Sequence, residues 1–405
     1  MSCKDWKEVT LVDVVSILGD GLHGTPLYDT TGDYYFINGN NLSNGKIIFK
    51  EDTRKVAYSE YQKYKKNLND RTIFVSINGT LGNVALYNGE KCILGKSACY
   101  FNVKETVDKY FIRYIVTNRA FQDYIAMLAT GTTIKNVSLK TMREFPFLLP
   151  PLHEQKKIAD ILSSLDDKIE LNNNINDNLE KQAQAIFKSW FVDFEPFQDG
   201  EFVDSELGMI PKGWRIINLS ELLYISKESI NPSKNSNVLY YHYSLPAFDN
   251  GKMPEMQYGK DILSNKFVLS NNTILFSKLN PRIKRIWYID EVCDNSICST
   301  EFITYKTKDP RLSYFAYCLI NSELFYQNAM ALVNGSTGSH QRFNPKDTMN
   351  FKIAINDDIL LQFSNIIAPL IKKESDIITE SYSLSNIRDT LLPKLISGKL
   401  SVEDI

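Results

Sequence analysis

A chain of 405 residues with a net charge of −2 is long enough for two or three domains, and too close to neutral for its overall charge to hold it on nucleic acid or an anionic membrane. Its 22 tyrosines and 22 phenylalanines argue for packed, strand-rich domains. No apolar run reaches membrane-spanning length and the opening MSCKDWKEV has no signal-peptide core, so the expectation is a cytoplasmic chain without a membrane partner.

Up to about Leu149 the chain reads as mixed and strand-rich. Short β-prone runs at Tyr34–Ile37, Thr72–Ile77, Asn83–Tyr87 and Ala98–Val103 are separated by Asn-Gly and Gly turns. A helical pattern over Val107–Leu128 follows, then a polar loop, GTTIKNVS (Gly131–Ser138), and the strand-like FPFLLP. After the Pro150-Pro151 pair comes a stretch from Leu152 to Trp190 with neither Pro nor Gly. Within it Ile158, Leu165, Asn172, Leu179 and Ile186 recur every seven residues, and Leu162, Ile169, Asn176, Ala183 and Trp190 form the offset series. That is the seam of a helix packed lengthwise on a partner helix, roughly 60 Å long at 1.5 Å per residue. The polar centre at Asn172 and Asn176 is suited to fixing register at a cost in packing.

The whole pattern then repeats about 200–208 residues later. WKEVTLVDVVSI, headed by Trp6, returns as WRIINLSELLYI, headed by Trp214, and TIFVS at Thr72 returns as TILFS at Thr273. The polar loop returns, two residues longer, as GSTGSHQRFN (Gly335–Asn344). The long helix returns as Ile359–Leu391, with Phe363, Leu370, Ile377, Leu384 and Leu391 in heptad register and a polar centre at Glu374 and Ser381. Pro369 is expected to kink or break this second copy. The reading is α+β: two similar mixed α/β globules joined by two long helices that pair as an antiparallel coiled coil with pseudo-twofold symmetry. The competing arrangement has each helix simply covering its own globule.

Catalytic signatures are missing. There is no N-P-P-[YF] or D-P-P-[YF] tetrapeptide for adenine methyl transfer and no G-x-G-x-x-G after a strand. GEKCILGKS (Gly89–Ser97) has one residue too many between its glycines for a phosphate loop and reads as a hairpin connection. His23, His153, His242 and His340 are scattered, and Cys3, Cys92, Cys99, Cys293, Cys298 and Cys318 show no metal or disulfide pattern. No catalytic residue and no metal ligand is therefore assigned.

What remains suits binding. The near-neutral total conceals segregated charge: Asp193, Glu195, Asp199, Glu201, Asp204 and Glu206 fall in one run without a base, whereas residues 274–288 carry Lys278, Arg282, Lys284 and Arg285 without an acid. Basic and aromatic interleaving there suits phosphate contacts, or else a solvated strand face. The polar loops carry side chains able to read base edges, though ordinary polar turns look the same. GDGLHGTPLY (Gly19–Tyr28) lets backbone approach a ligand closely. The candidate DNA contacts are Thr132, Thr133, Lys135 and Asn136 in the first globule, and Lys278, Arg282, Lys284, Arg285, Gln341 and Arg342 in the second. Two binding heads on a measured rod would read two half-sites across an unread spacer. A self-contained nuclease or methyltransferase, or a scaffold binding only protein, are the alternatives.

GDGLHGTPLY, PLHEQKKIADILSSLDDKI running on to FKSWFVDFEPF, LGMIPKGWRI and RDTLLPKLISGKL occur in this order across essentially the whole chain. In this the sequence resembles the specificity subunits of type I restriction–modification enzymes. The resemblance implies two target recognition domains, at about 1–150 and 200–356, and two helical regions, at about 151–199 and 357–405. It implies a non-catalytic subunit that binds double-stranded DNA and on which two adenine methyltransferase subunits and ATP-driven restriction subunits assemble. S-adenosylmethionine, ATP and Mg would then sit on the partners, with no cofactor in this chain.

Overall fold

In the computed structural model, which describes residues 6–333 and 341–403, Thr72–Ser76 and its copy Thr273–Ser277 hold the same place in two sheets of the same order. The first runs Val15–Asp20, Ala98–Val103, Thr72–Ser76, Val84–Leu86, and the second Leu223–Ile225, Phe302–Thr307, Thr273–Ser277, Ile286–Ile289. Every neighbouring pair is antiparallel. Thr72–Ser76 and Thr273–Ser277 are buried throughout, which accounts for their continuous β-branched and aromatic run. Each sheet has a two-stranded companion, Lys7–Thr10 with Pro146–Leu149 and Arg215–Asn218 with Lys352–Ile355. A further sheet, of three strands in the first case and five in the second, adds a parallel pair: Tyr34–Ile37 with Cys92–Leu94, and Leu239–Tyr243 with Ser296–Ser299. The GEKCILGKS segment is thus a sheet strand with buried Cys92, Ile93 and Leu94, not a hairpin connection.

The chain forms two compact units, Met1–Asp167 with Leu384–Ile405, and Lys168–Ser383. In the first, the expected helix over Val107–Leu128 is two helices, Lys109–Thr117 and Arg119–Leu128, separated at Asn118. Asn118 is extended, and its side-chain oxygen accepts the Ala120 N–H, so it caps the second helix in place of continuing the first. Ser322 does the same between Ser313–Asn321 and Glu323–Ala331 by accepting from the Phe325 N–H.

The long helices run unbroken over Leu152–Phe191 and Asp357–Ile396. The break expected at Pro369 does not occur. Pro369 is exposed, as is Asn365 four residues before it, so the unpartnered carbonyl lies on the solvent side of the helix, where its loss of an N–H partner is least costly. Within each unit the two helices contact each other in antiparallel order. In the second, Phe187 meets Phe363 and Asn172 meets Glu380 and Ser381; in the first, Asp166 meets Arg388.

The seam is only partly as its heptads suggest. Ile158, Leu162, Phe363 and Ile377 are buried, but Leu165, Ile169, Leu179, Ile186, Leu370 and Leu384 are half-buried. Toward the end of the central helix the buried residues are Ala183, Phe187 and Phe191, spaced by four. A straight α-helix drifts by about 20° per heptad, so a strict seven-residue repeat cannot stay on one face unless the helices supercoil. Here the helix ends enter globular cores, which ask for a wider stripe. Ile158, Ala159, Leu162 and Leu395 join Phe101, Phe111 and Phe121 in the first core, while Phe187, Phe191, Phe363 and Ile367 join Phe276, Phe315 and Phe325 in the second. Pairing and covering therefore coexist: each helix end covers a globule, and the heptads govern the stretch between.

Asn172 is completely buried and donates to Glu380 Oε2 at 2.9 Å and Ser381 Oγ at 3.1 Å. The Asn172 amide and the Lys168 ammonium hold the Glu380 carboxyl below its usual value. The Oδ1 atoms of Asn172 and Asn176 are buried without partners, and each such atom costs about 1–3 kcal/mol. Replacing both asparagines with leucine should therefore leave the urea midpoint unchanged or raise it, while loosening helix register. Cysteine crosslinking across the pair reads that register; a single crosslinked register in the double variant would show that the polar layer sets nothing.

Among the described residues no helix is long and apolar enough to cross a membrane.

Candidate nucleic-acid interface

In the first unit the polar loop is a short closed finger. Thr130 and Asn136 exchange backbone hydrogen bonds at 2.9 and 2.8 Å, closing its base. Gly131 turns it with φ +94°, where an added Cβ would lie 2.2 Å from the Ile134 carbonyl. The finger is moored to the turn after Thr72–Ser76: Gly79 N–H donates to the Lys135 carbonyl at 3.0 Å, Val137 N–H to the Ile77 carbonyl at 2.8 Å, and the Asn78 amide to Asn136 Oδ1 at 3.2 Å. Thr132, Thr133, Lys135 and Asn136 are all exposed, and so is Ile134 at the tip. The side chains of Thr132, Thr133 and Lys135 have no hydrogen-bonded or ionic partner among the described residues. The backbone is held while the side chains point to solvent, as a reading loop requires.

The second unit builds its counterpart from the same two places. After Thr273–Ser277, Lys278 N–H donates to the Glu301 carbonyl at 3.0 Å and Asn280 N–H to the Gln341 carbonyl at 3.2 Å. Asn280 takes φ +47°, a left-handed value that asparagine tolerates. Gly335–His340 lie outside the described residues, so this loop is seen here only through Gln341 and Arg342.

The six candidates in the second unit divide by what they already hold. Arg285, with its side chain 12% exposed, forms a two-point pair with Asp249 at 2.7 and 2.8 Å, and that hydrogen bonding raises its pKa further. Lys284 donates to the Asn321 carbonyl at 2.6 Å, and desolvation of its ammonium lowers its pKa. Arg342 pairs with Glu301 at 2.9 Å. Lys278 and Arg282 have side chains with no ionic partner among the described residues and are free to neutralise phosphate. The basic run is thus two structural cations that fix the turn and two that remain available. Spacing alone could not separate them, because Asp249 and Asn321 are remote in sequence.

Asn78 and Asn280 were missed as anchors. Their signal was present, since each follows a copy of the repeated strand, but Asn-Gly and Asn-Pro read locally as bare turns. Gly21, flagged for close approach to a ligand, approaches the chain itself: a Cβ there would lie 2.3 Å from the Leu94 and Gly95 carbonyls.

Nothing in the described residues assembles a catalytic group. His23 contacts Asp20, His242 contacts Gln257 with its pKa lowered by burial, and His153 lies beside Glu154. Burial pushes the Cys92 thiol up to about 12, and the Cys99, Cys298 and Cys318 thiols rise for the same reason. Cys3 and His340 lie outside the described residues.

Residues 3–181 match the type I restriction modification DNA specificity domain. Over 99% of this chain and 95% of its relative, the sequence is 27% identical to the type I restriction enzyme MjaIX specificity subunit of Methanocaldococcus jannaschii. Along nearly its whole length the chain is similar to type I specificity subunits. A second relative, the HindI specificity subunit of Haemophilus influenzae, is 23% identical over 74% of this chain and 79% of its own. The type I S subunit from M. genitalium shares the fold, with a TM-score of 0.59 at 20% identity, covering 98% of this chain and 97% of that one.

Proposed function

We propose that the chain reads a bipartite, asymmetric DNA target, one half-site per unit, for a type I restriction–modification system. The observation that carries this is the repeated construction: two sheets of one order, each mooring a polar loop to the turn after its copy of the same strand. Thr132, Thr133, Lys135 and Asn136 face the first half-site. Lys278 and Arg282 contact phosphates at the second, with Gln341 and Arg342 beside them, while Lys284 and Arg285 hold the turn. The moored loops differ in length and chemistry, so the half-sites differ in sequence. The long helices carry two adenine methyltransferase subunits, and ATP-dependent restriction subunits join that core. S-adenosylmethionine, ATP and Mg reside on those partners, and the complex works in the cytoplasm.

Mapping adenine methylation in a host that expresses the chain with its modification subunits tests the reading directly. One split, asymmetric motif with a fixed spacer is expected; the absence of any motif would overturn it. On the purified complex, Lys278→Ala and Arg282→Ala should each weaken binding to all sequences alike and lower the slope of log affinity against log salt by about 1. A slope unchanged in both variants would remove these residues from the phosphate contacts.

A further inference from the structure

The first unit contains a buried polar junction that DNA reading leaves unexplained. Asp166 projects from the central helix and accepts three hydrogen bonds. Tyr114 Oη and Arg113 Nη2, neighbours on the helix Lys109–Thr117, reach its Oδ2 at 2.7 and 3.0 Å. Arg388 Nη1, from the C-terminal helix, reaches its Oδ1 at 2.8 Å. The side chains of Asp166 and Arg113 are 15% and 18% exposed. Both carboxylate oxygens are thus committed, one to the head and one to the second helix.

Two further observations show that hydrogen bonding adds to the apolar packing of Ile158, Leu162 and Leu395 in setting this corner. A polar cavity of about 340 Å³ lies against the junction, lined by Asn44, Asn83, Gln122, Arg113 and Arg388 among others, so apolar contact does not fill it. Arg113 Nε is buried without a partner, a cost accepted to place the guanidinium on Asp166. The second unit secures its head with different chemistry: Asn321 donates to Glu180 Oε1 at 2.9 Å, and Lys252 meets Glu374 Oε1 at 3.4 Å. An arginine–tyrosine key fits one junction and a lysine–asparagine key the other.

We propose that Asp166 is a positioning residue that sets the orientation of the first head on its own pair of helix ends, and with it the spacer length that the protein accepts. The inference rests on the reading that the two units bind separate half-sites. A head held at one carboxylate by two adjacent donors cannot rotate about the helix without breaking a charge-assisted bond. Loss of that carboxylate leaves the head held by apolar packing alone, which is not directional, and so loosens its orientation while leaving the reading loop, which is moored elsewhere, intact.

The experiment uses the chain assembled with its modification subunits, and duplexes carrying the mapped target with native, shortened and lengthened spacers. Asp166→Asn keeps size and an acceptor oxygen but removes charge, and Tyr114→Phe removes one hydrogen bond with no change of charge. In both, discrimination between native and altered spacers should fall about tenfold, the equivalent of one charge-assisted hydrogen bond, with Asp166→Glu restoring part of it. Half-site preference, measured by base substitutions at the native spacer, should be unchanged. If Asp166→Asn fails to fold, Tyr114→Phe decides alone. Spacer discrimination equal to wild type in a folded variant would overturn the proposal, as would an equal loss on every spacer. A wild-type complex with no spacer preference would instead overturn the bipartite reading.

Discussion

Phe363→Ala should cost the second unit about 3–5 kcal/mol, a large part of the stability of any domain. Phe363 is fully buried where the helix pair enters the second core, and its ring meets Phe187, Trp190, Phe191 and Phe315 at centroid distances of 5.1–6.0 Å. Removing it leaves a cavity lined by rigid aromatics that cannot collapse, so the transfer loss and the cavity cost add. Urea unfolding followed by tryptophan fluorescence reports it directly, because Trp190 and Trp214 stand in the same core. Leu165→Ala, at a half-buried heptad position, provides the contrast, with an expected cost of about 1 kcal/mol. If the two variants unfolded at the same midpoint, the helix pair would be a uniform coiled coil and the globular cores would not own its ends.

The second large effect is on recognition. Replacing Thr132, Lys135 and Asn136 together with alanine should reduce discrimination at one half-site by about a hundredfold or more, since each good base-edge contact is worth about 1–3 kcal/mol. Folding should be nearly untouched. The three side chains are exposed, and although alanine at 136 gives up the bond from the Asn78 amide, the backbone bonds of Thr130, Gly79 and Val137 that hold the finger are retained. Competition between target and scrambled duplexes for the assembled complex measures the change, and substitutions in the other half-site should be discriminated as before. A triple variant with wild-type discrimination at both half-sites would place the reading surface elsewhere on the first head.

Most of the architecture was legible because it is written twice. One strand pattern is weak; the same pattern returning in the same order, with the same helix and the same polar loop behind it, is not. The buried strands Thr72–Ser76 and Thr273–Ser277 and the two long helices were predicted to within a few residues, since period and composition are local properties. The errors share a cause. Asn118 separates two helices that apolar spacing joins, because a cap is decided by one side chain against one backbone N–H. Pro369 does not break its helix, on an exposed face where a lost hydrogen bond is least costly.

The candidate interface was legible as a region and not as a set of residues. Lys278, Arg282, Lys284 and Arg285 look alike in sequence, yet Asp249 and the Asn321 carbonyl claim two of them. A charge is free or spent according to what folding brings within about 3 Å of it, and that partner lies tens of residues away.

By itself the sequence determined the duplication, the α+β class, the helical register at its polar centre and the absence of a local catalytic motif. These follow from periodicity and residue chemistry along the chain. Only the tertiary structure decided where the helices stop being a seam and become core, which cations of the basic run are already paired, and that Asp166 joins a head to both helices. Those outcomes depend on three-dimensional proximity and burial, for which no period in the chain is a substitute.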